Sequence, residues 1–160
     1  MPDAEATITA IESVYRRQYG RFLRVAQGMV GDRERAHDAV QEAFARAIRG
    51  RSSFRGEGSV EAWLWRTLAN VCADERRSLA RAAPPAAAPT ANGEEEGLRE
   101  LRVAVAALPE RQRLIVFLRH FADLDYETIA AAAGVERGTV AATLHQAHAS
   151  LRRALTEVTP

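Results

Sequence analysis

The stretch from Thr128 to Leu144 has the spacing of two short helices crossing at a tight turn. A helix-turn-helix needs a small residue at the crossing, a glycine in the turn, and apolar residues that fix the angle. Ala130, Gly134, Ile129, Val135 and Val140 fill those places. A plain helical hairpin would use the same residues, and DNA reading is the favoured of the two. Further upstream Arg66, Asn70, Asp74, Arg77 and Arg81 recur at helical spacing and so share one helix edge. Arg and Asn are the side chains that reach phosphates and base edges. Trp63 and Trp65 begin the same helix, and Phe54 lies in the glycine-rich loop before it. Aromatics beside cations suit single-stranded DNA, whose unstacked bases need a surface to stack on. The plain alternative is a core Trp with a solvated Arg face; it holds at least as well for each residue taken singly, and less well for the combination. A third group, Asp38, Gln41 and Glu42, falls together at 100° per residue, opposite the apolar stripe of its helix. On that feature alone an ordinary solvated face is the better reading, and partner docking the lesser one.

Catalysis finds little footing. His145 and His148 are three apart, and Asp38 and Glu42 four apart, both usable metal spacings on a helix. Neither pair has a third ligand placed by the sequence, and no phosphate loop or nucleophile motif is present. We therefore expect no enzyme, no bound metal and no cofactor. The lone Cys72 excludes an internal disulfide and a cysteine-rich zinc site. Its helical position puts it near the buried stripe, as an inert core thiol.

The elements that must carry these residues are helical throughout. Ile8, Ile11, Tyr15, Phe22, Ala26 and Met29 repeat at three and four residues, with Gly20 as a candidate bend. Gly31-Asp32 closes that helix and caps the next, whose stripe is Ala36, Ala39, Val40, Ala43, Phe44, Ala47 and Ile48. Ser59 caps a third helix, with Val60, Leu64, Leu68, Val71 and Leu79 buried. In the second half Leu98, Leu101, Val105 and Leu108 share a face that ends at Pro109. Leu114, Phe117, Leu118 and Phe121 then point inward, Asp125 caps a short helix through Ala133, and a longer helix runs from Arg137 to Leu155. The expected fold is all-α.

The 160 residues carry 22 basic side chains, every one an Arg, against 21 acidic ones. Residues 82–97 contain no large apolar side chain, three prolines and three consecutive glutamates. Such a segment cannot bury a face and reads as a flexible Ala/Pro/Glu linker. Two small helical domains are expected on either side of it, 1–82 and 98–160, with 83–97 between them. No apolar run approaches the ~20 residues needed to span a bilayer, so no membrane insertion is expected. The acidic start Met1-Pro2-Asp3-Ala4-Glu5 lacks the basic residues of a signal peptide, so the expected location is the cytoplasm.

Five motifs in order carry a more specific likeness. They are Asp38-Ala39-Val40-Gln41-Glu42-Ala43-Phe44, then Ala62-Trp63-Leu64-Trp65-Arg66-Thr67-Leu68-Ala69-Asn70, and Asp74-Glu75-Arg76-Arg77. After the linker come Leu108-Pro109-Glu110-Arg111-Gln112-Arg113 and Gly134-Val135-Glu136-Arg137-Gly138-Thr139-Val140. The chain thereby resembles the extracytoplasmic-function (ECF) sigma factors, the small two-domain class of bacterial sigma factors. The resemblance implies that Asp38, Gln41 and Glu42 dock on the clamp helices of the RNA polymerase beta-prime subunit. It implies that Phe54, Ser59, Trp63, Arg66, Asn70, Asp74 and Arg77 capture an unpaired base of the promoter minus-ten element. A pocket that accepts only the flipped base would offset the few kcal/mol that flipping costs. Arg137, Thr139, Ala142, Thr143 and Gln146 would face the minus-thirty-five element in the major groove, with the beta flap of core polymerase beside that domain. An anti-sigma factor that covers these surfaces is the further implied partner.

Three departures stand out. His37 occupies a place where the family usually has an acid. The family usually has Lys or Arg at the positions of Ala141, Thr143, Gln146 and His148, whereas residues 138–151 carry no formal charge. Phosphate contacts dominate duplex affinity, so this helix should bind weakly and with shallow salt dependence. Gln146 can still read adenine, and His145 and His148 can add charge below pH 7. The linker is acidic, as a tether that imitates nucleic acid would be. A sigma-like mimic that sequesters an anti-sigma factor without opening DNA is the rival reading. The uncharged helix favours the mimic, and the Arg66/Asn70/Arg77 edge favours the sigma factor.

Overall fold

The computed structural model describes residues 3–82 and 96–158. Seven α-helices account for nearly all of them, and among the described residues there is no strand. They are α1 (Ala4–Val30), α2 (Arg33–Arg49), α3 (Val60–Ala82), α4 (Glu96–Ala106), α5 (Glu110–His120), α6 (Tyr126–Ala133) and α7 (Arg137–Val158). A short 3-10 turn, Arg51–Ser53, follows α2. The linker expected at 83–97 lies outside the described residues apart from its last two, which begin α4.

Local chemistry sets the boundaries. Gly31 ends α1 in the left-handed region at φ 80°, and the Asp32 carboxylate accepts from the Arg35 amide at 2.9 Å to start α2. The Ala62 amide donates to Ser59 Oγ at 3.0 Å, capping α3. Asp125 accepts from the Thr128 amide at 2.7 Å, which holds its carboxyl below the usual carboxylate range. Gly134, at φ 68°, makes the turn between α6 and α7. Gly20 produces no break: α1 runs through it, since one glycine costs only about 1 kcal/mol against the packing of the helix around it.

The first bundle packs α1, α2 and α3 around Phe22, Val25, Val40, Leu64, Trp65 and Leu68. Trp65 stacks flat on Phe22, with centroids 3.7 Å apart and planes 7° from parallel. In the second bundle α5, α6 and α7 close on Ile115, Leu118, Ile129 and Val140. The two cores join: α6 lies against α3, α5 lies against α1, and the buried residues form one continuous cluster.

Several expected core positions lie outside it. Ile48 is 44% exposed in the last turn of α2, and Ile8 is exposed in the opening turns of α1. Leu98 and Leu101 are also exposed, because α4 leans on α7 and its apolar face gains cover only towards Val105 and Leu108. Phe121 is exposed because its inner side stacks on Phe117, leaving the other side to solvent.

Candidate nucleic-acid and polymerase interface

On α2, Asp38 and Gln41 are exposed and Glu42 is half-buried. The patch is less acidic than its composition suggests. Glu42 accepts from Arg46 at 2.8 Å and from Arg49 at 3.3 Å, and its carboxyl is held low, chiefly by the Arg46 hydrogen bond. Behind the patch, the Gln41 amide reaches the Tyr15 hydroxyl at 3.5 Å, and Tyr19 hydrogen-bonds His37 Nδ1 at 2.9 Å. His37 is thus tied to α1 and is not an open substitute for an acid.

The α3 edge keeps Arg66, Asn70, Asp74 and Arg77 exposed, one turn after another. Its two tryptophans divide the work: Trp65 is core, whereas Trp63 is half-buried with its ring 5.2 Å from Phe54. Phe54 and Trp63 therefore form a small aromatic shelf at the start of α3, beside the capping Ser59. Asp74 accepts from Arg77 at 2.6 Å and from Arg46 at 3.3 Å, and these two bonds depress its carboxyl. Arg46 was not among the expected site residues. It links Glu42 on α2 to Asp74 on α3, so one chain of ion pairs joins the α2 patch to the α3 edge. The spacing of Glu42 and Arg46 announces their i,i+4 pair, but no sequence rule reports that Asp74 is also in reach.

On α7, Arg137, Thr139, Ala142 and Gln146 are exposed, as are Ala141 and His145. Thr143 departs from expectation: it is 9% exposed and turned inward. At 100° per residue it falls about 40° from Ala147 and about 60° from Val140, both fully buried, so it belongs to the edge of the stripe that seats the helix.

His148 pairs with a residue from another element. His120 and His148 meet Nε2 to Nε2 at 3.0 Å, and the pKa of His120 is lowered by burial, then by His148 and Arg119. Arg119 adds positive charge beside the pair. Among the described residues no group of three or more His, Cys, Asp or Glu gathers to hold a metal ion. Cys72 is buried, and its thiol is pushed up to about 12, mainly by burial and then by Glu110. No helix among the described residues is long and apolar enough to cross a membrane.

A helical bundle with an exposed aromatic and Arg/Asn edge is followed by a second bundle that contains a helix-turn-helix. Residues 14–82 match the family model for Sigma-70 region 2, and residues 98–151 match that for Sigma-70, region 4. The chain is 31% identical over 152 residues to the ECF RNA polymerase sigma factor SigM of Mycobacterium tuberculosis, covering 91% of this chain and 77% of that one. It is 30% identical over 158 residues to the RNA polymerase sigma-E factor of Streptomyces antibioticus, covering 95% and 88%. The fold also matches the sigma factor RpoE of Bartonella quintana, solved with the anti-sigma factor NepR, at a TM-score of 0.66 and 23% identity, covering 93% and 99%. The chain belongs to the ECF family of RNA polymerase sigma factors, which direct promoter recognition by RNA polymerase.

Proposed function

We propose that residues 1–82 dock on the beta-prime clamp helices of core polymerase and capture the minus-ten element, while residues 98–160 read the minus-thirty-five element beside the beta flap. The observation that carries this reading is the α3 edge. Arg66, Asn70 and Arg77 stand exposed on one line, and the Phe54–Trp63 shelf opens at its start. A flipped base can stack on the shelf while the Arg and Asn side chains hold its backbone and edge. Asp38 and Gln41 offer the exposed part of the docking patch. On α7, Arg137, Thr139, Ala142 and Gln146 face outward and Thr143 serves packing. The protein acts by binding, without catalysis of its own or a cofactor, in the cytoplasm where core polymerase works. An anti-sigma factor is the expected negative partner, by analogy with the relative solved in such a complex.

Transcription of a genomic promoter library by core polymerase, with and without the protein, tests this. New start sites sharing upstream elements are expected, and Asn70→Ala with Arg77→Ala should abolish them while core binding persists. The uncharged face of α7 supports a second reading, a mimic that occupies an anti-sigma factor. No new starts and no core binding would select it.

A further inference from the structure

The chain has four histidines, His37, His120, His145 and His148, and two of them meet head to head across helices. His120 is the last residue of α5, and His148 lies midway along α7. Their Nε2 atoms are 3.0 Å apart, their ring centres 5.2 Å apart and their planes 50° from parallel. The helices that carry them are firmly placed: α5 packs against α7, and Ile115, Leu118, Leu144 and Ala147 on these two helices are buried in the core. The pair itself stays at the surface, with His120 exposed and His148 half-buried. Arg119, the neighbouring cation, is drawn elsewhere. Its Nη1 donates to the Asp123 carboxylate at 3.4 Å and to the Leu124 carbonyl at 3.2 Å, and its guanidinium lies over the Tyr126 ring at 5.9 Å. His37 is tied to Tyr19 on α1 and takes no part.

Two imidazoles so placed can share one proton or one metal ion. A tetrahedral ion about 2.0–2.1 Å from each of two imidazole nitrogens holds those nitrogens about 3.3 Å apart and, with ~1.15 Å from nitrogen to ring centre, the ring centres about 5.2 Å apart. The ring centres of His120 and His148 already stand at that separation, and a pivot of a few tenths of an ångström opens the nitrogens to it. We propose that His120 and His148 form a binding site for a divalent transition-metal ion of the zinc, nickel and copper group, which clamps the end of α5 to α7. Imidazole nitrogen suits these borderline ions, whereas magnesium and calcium take oxygen ligands. The i,i+3 spacing within α7 offers His145 as the partner of His148, but the structure supplies His120 instead. His145 is exposed and lies outside the pair, and among the described residues no three such groups gather. Two protein ligands leave the remaining positions to water, so the ion is exchangeable, unlike a structural zinc closed by four side chains. The site is independent of the promoter reading above, because it needs only the packing of α5 on α7.

Calorimetric titration of the full chain at pH 7.5 with zinc chloride, and separately with magnesium chloride, tests it. The wild type should bind one Zn²⁺ per chain, saturating below about 1 mM, and should give no heat with Mg²⁺. His120→Gln and His148→Gln should each weaken Zn²⁺ binding at least about tenfold, while His37→Gln and His145→Gln leave it unchanged. Because the pair comes together only when α5 and α7 are packed, Zn²⁺ should raise the melting temperature of the wild type and not of either pair variant. Imidazole nitrogen NMR of the wild type needs no variant to fold: Zn²⁺ should move the Nε2 signals of His120 and His148 together. Absence of saturable Zn²⁺ binding overturns the proposal. So does binding that survives loss of both His120 and His148, or NMR shifts confined to His37 or His145. Binding with no rise in melting temperature marks ligands that the unfolded chain offers equally, and overturns it too.

Discussion

Replacing Ala141 by Arg puts a cation on a stretch of α7, residues 138–151, that carries none, on the face proposed to meet DNA. Ala141 is exposed on α7 between Thr139, Ala142 and His145, so the longer side chain meets no core. Arg ranks close to Ala in helix propensity, so the helix itself is little affected. Residues 138–151 carry no formal charge, and Arg137 is the cation at the head of the helix. Each phosphate neutralised steepens the plot of log K against log salt by about 0.9 on duplex DNA. One new contact should therefore raise duplex affinity at 50 mM salt and make that gain about 3.5-fold smaller at 200 mM. Fluorescence anisotropy with a labelled promoter duplex and a scrambled control, each titrated across salt, reads the slope directly. The gain should be equal on both duplexes, because phosphate contacts carry no sequence. Gln146→Ala should do the opposite, narrowing the preference for the promoter duplex while leaving the slope alone. An unchanged slope for A141R, with helical circular dichroism intact, would refute the idea that this face meets the phosphates.

Trp65→Ala removes the flat partner of Phe22 from a fully buried site and should cost about 3–5 kcal/mol, read from urea unfolding; a loss below 1 kcal/mol would contradict the packing. Asp125→Ala should cost about 1 kcal/mol through loss of the α6 cap. Because the Asp125 carboxyl is depressed, its contribution is present above the unfolded value of about 3.9 and lost as pH falls through its folded value, so thermal melts of D125A should show a shallower acid limb. The depressed His120 works in the same direction at higher pH: stability should decline as pH falls below about 6.5, and His148→Gln should reduce that decline. Cys72, pushed up to about 12, should react with iodoacetamide at pH 8 at least about a hundredfold more slowly than a free cysteine, and at the ordinary rate in denaturant.

The helices and their caps were legible because each rests on local chemistry: Asp32, Ser59 and Asp125 bond amides within three residues of themselves. The α3 edge was legible for the same reason, since four residues at helical spacing must share a side. Thr143 shows where reading by likeness outran periodicity, because the angle that buries it could be calculated from Val140 and Ala147. Arg46 and His148 were illegible in a different way. Their partners Asp74 and His120 belong to other elements, and the angle at which helices cross is not written in the spacing of either. The exposed Leu98 and Leu101 make the same point: an apolar stripe says which face could be covered, and the neighbouring helix decides how much of it is.

The division between the two tryptophans has a spectroscopic consequence. Trp65, stacked on Phe22 in the core, should emit at short wavelength and resist acrylamide. Trp63, half-buried beside Phe54, should emit further to the red and be quenched by acrylamide, and by any nucleobase that stacks on it. With no other tryptophan in the chain, the unlabelled protein reports base capture and core unfolding as separable components of one emission spectrum.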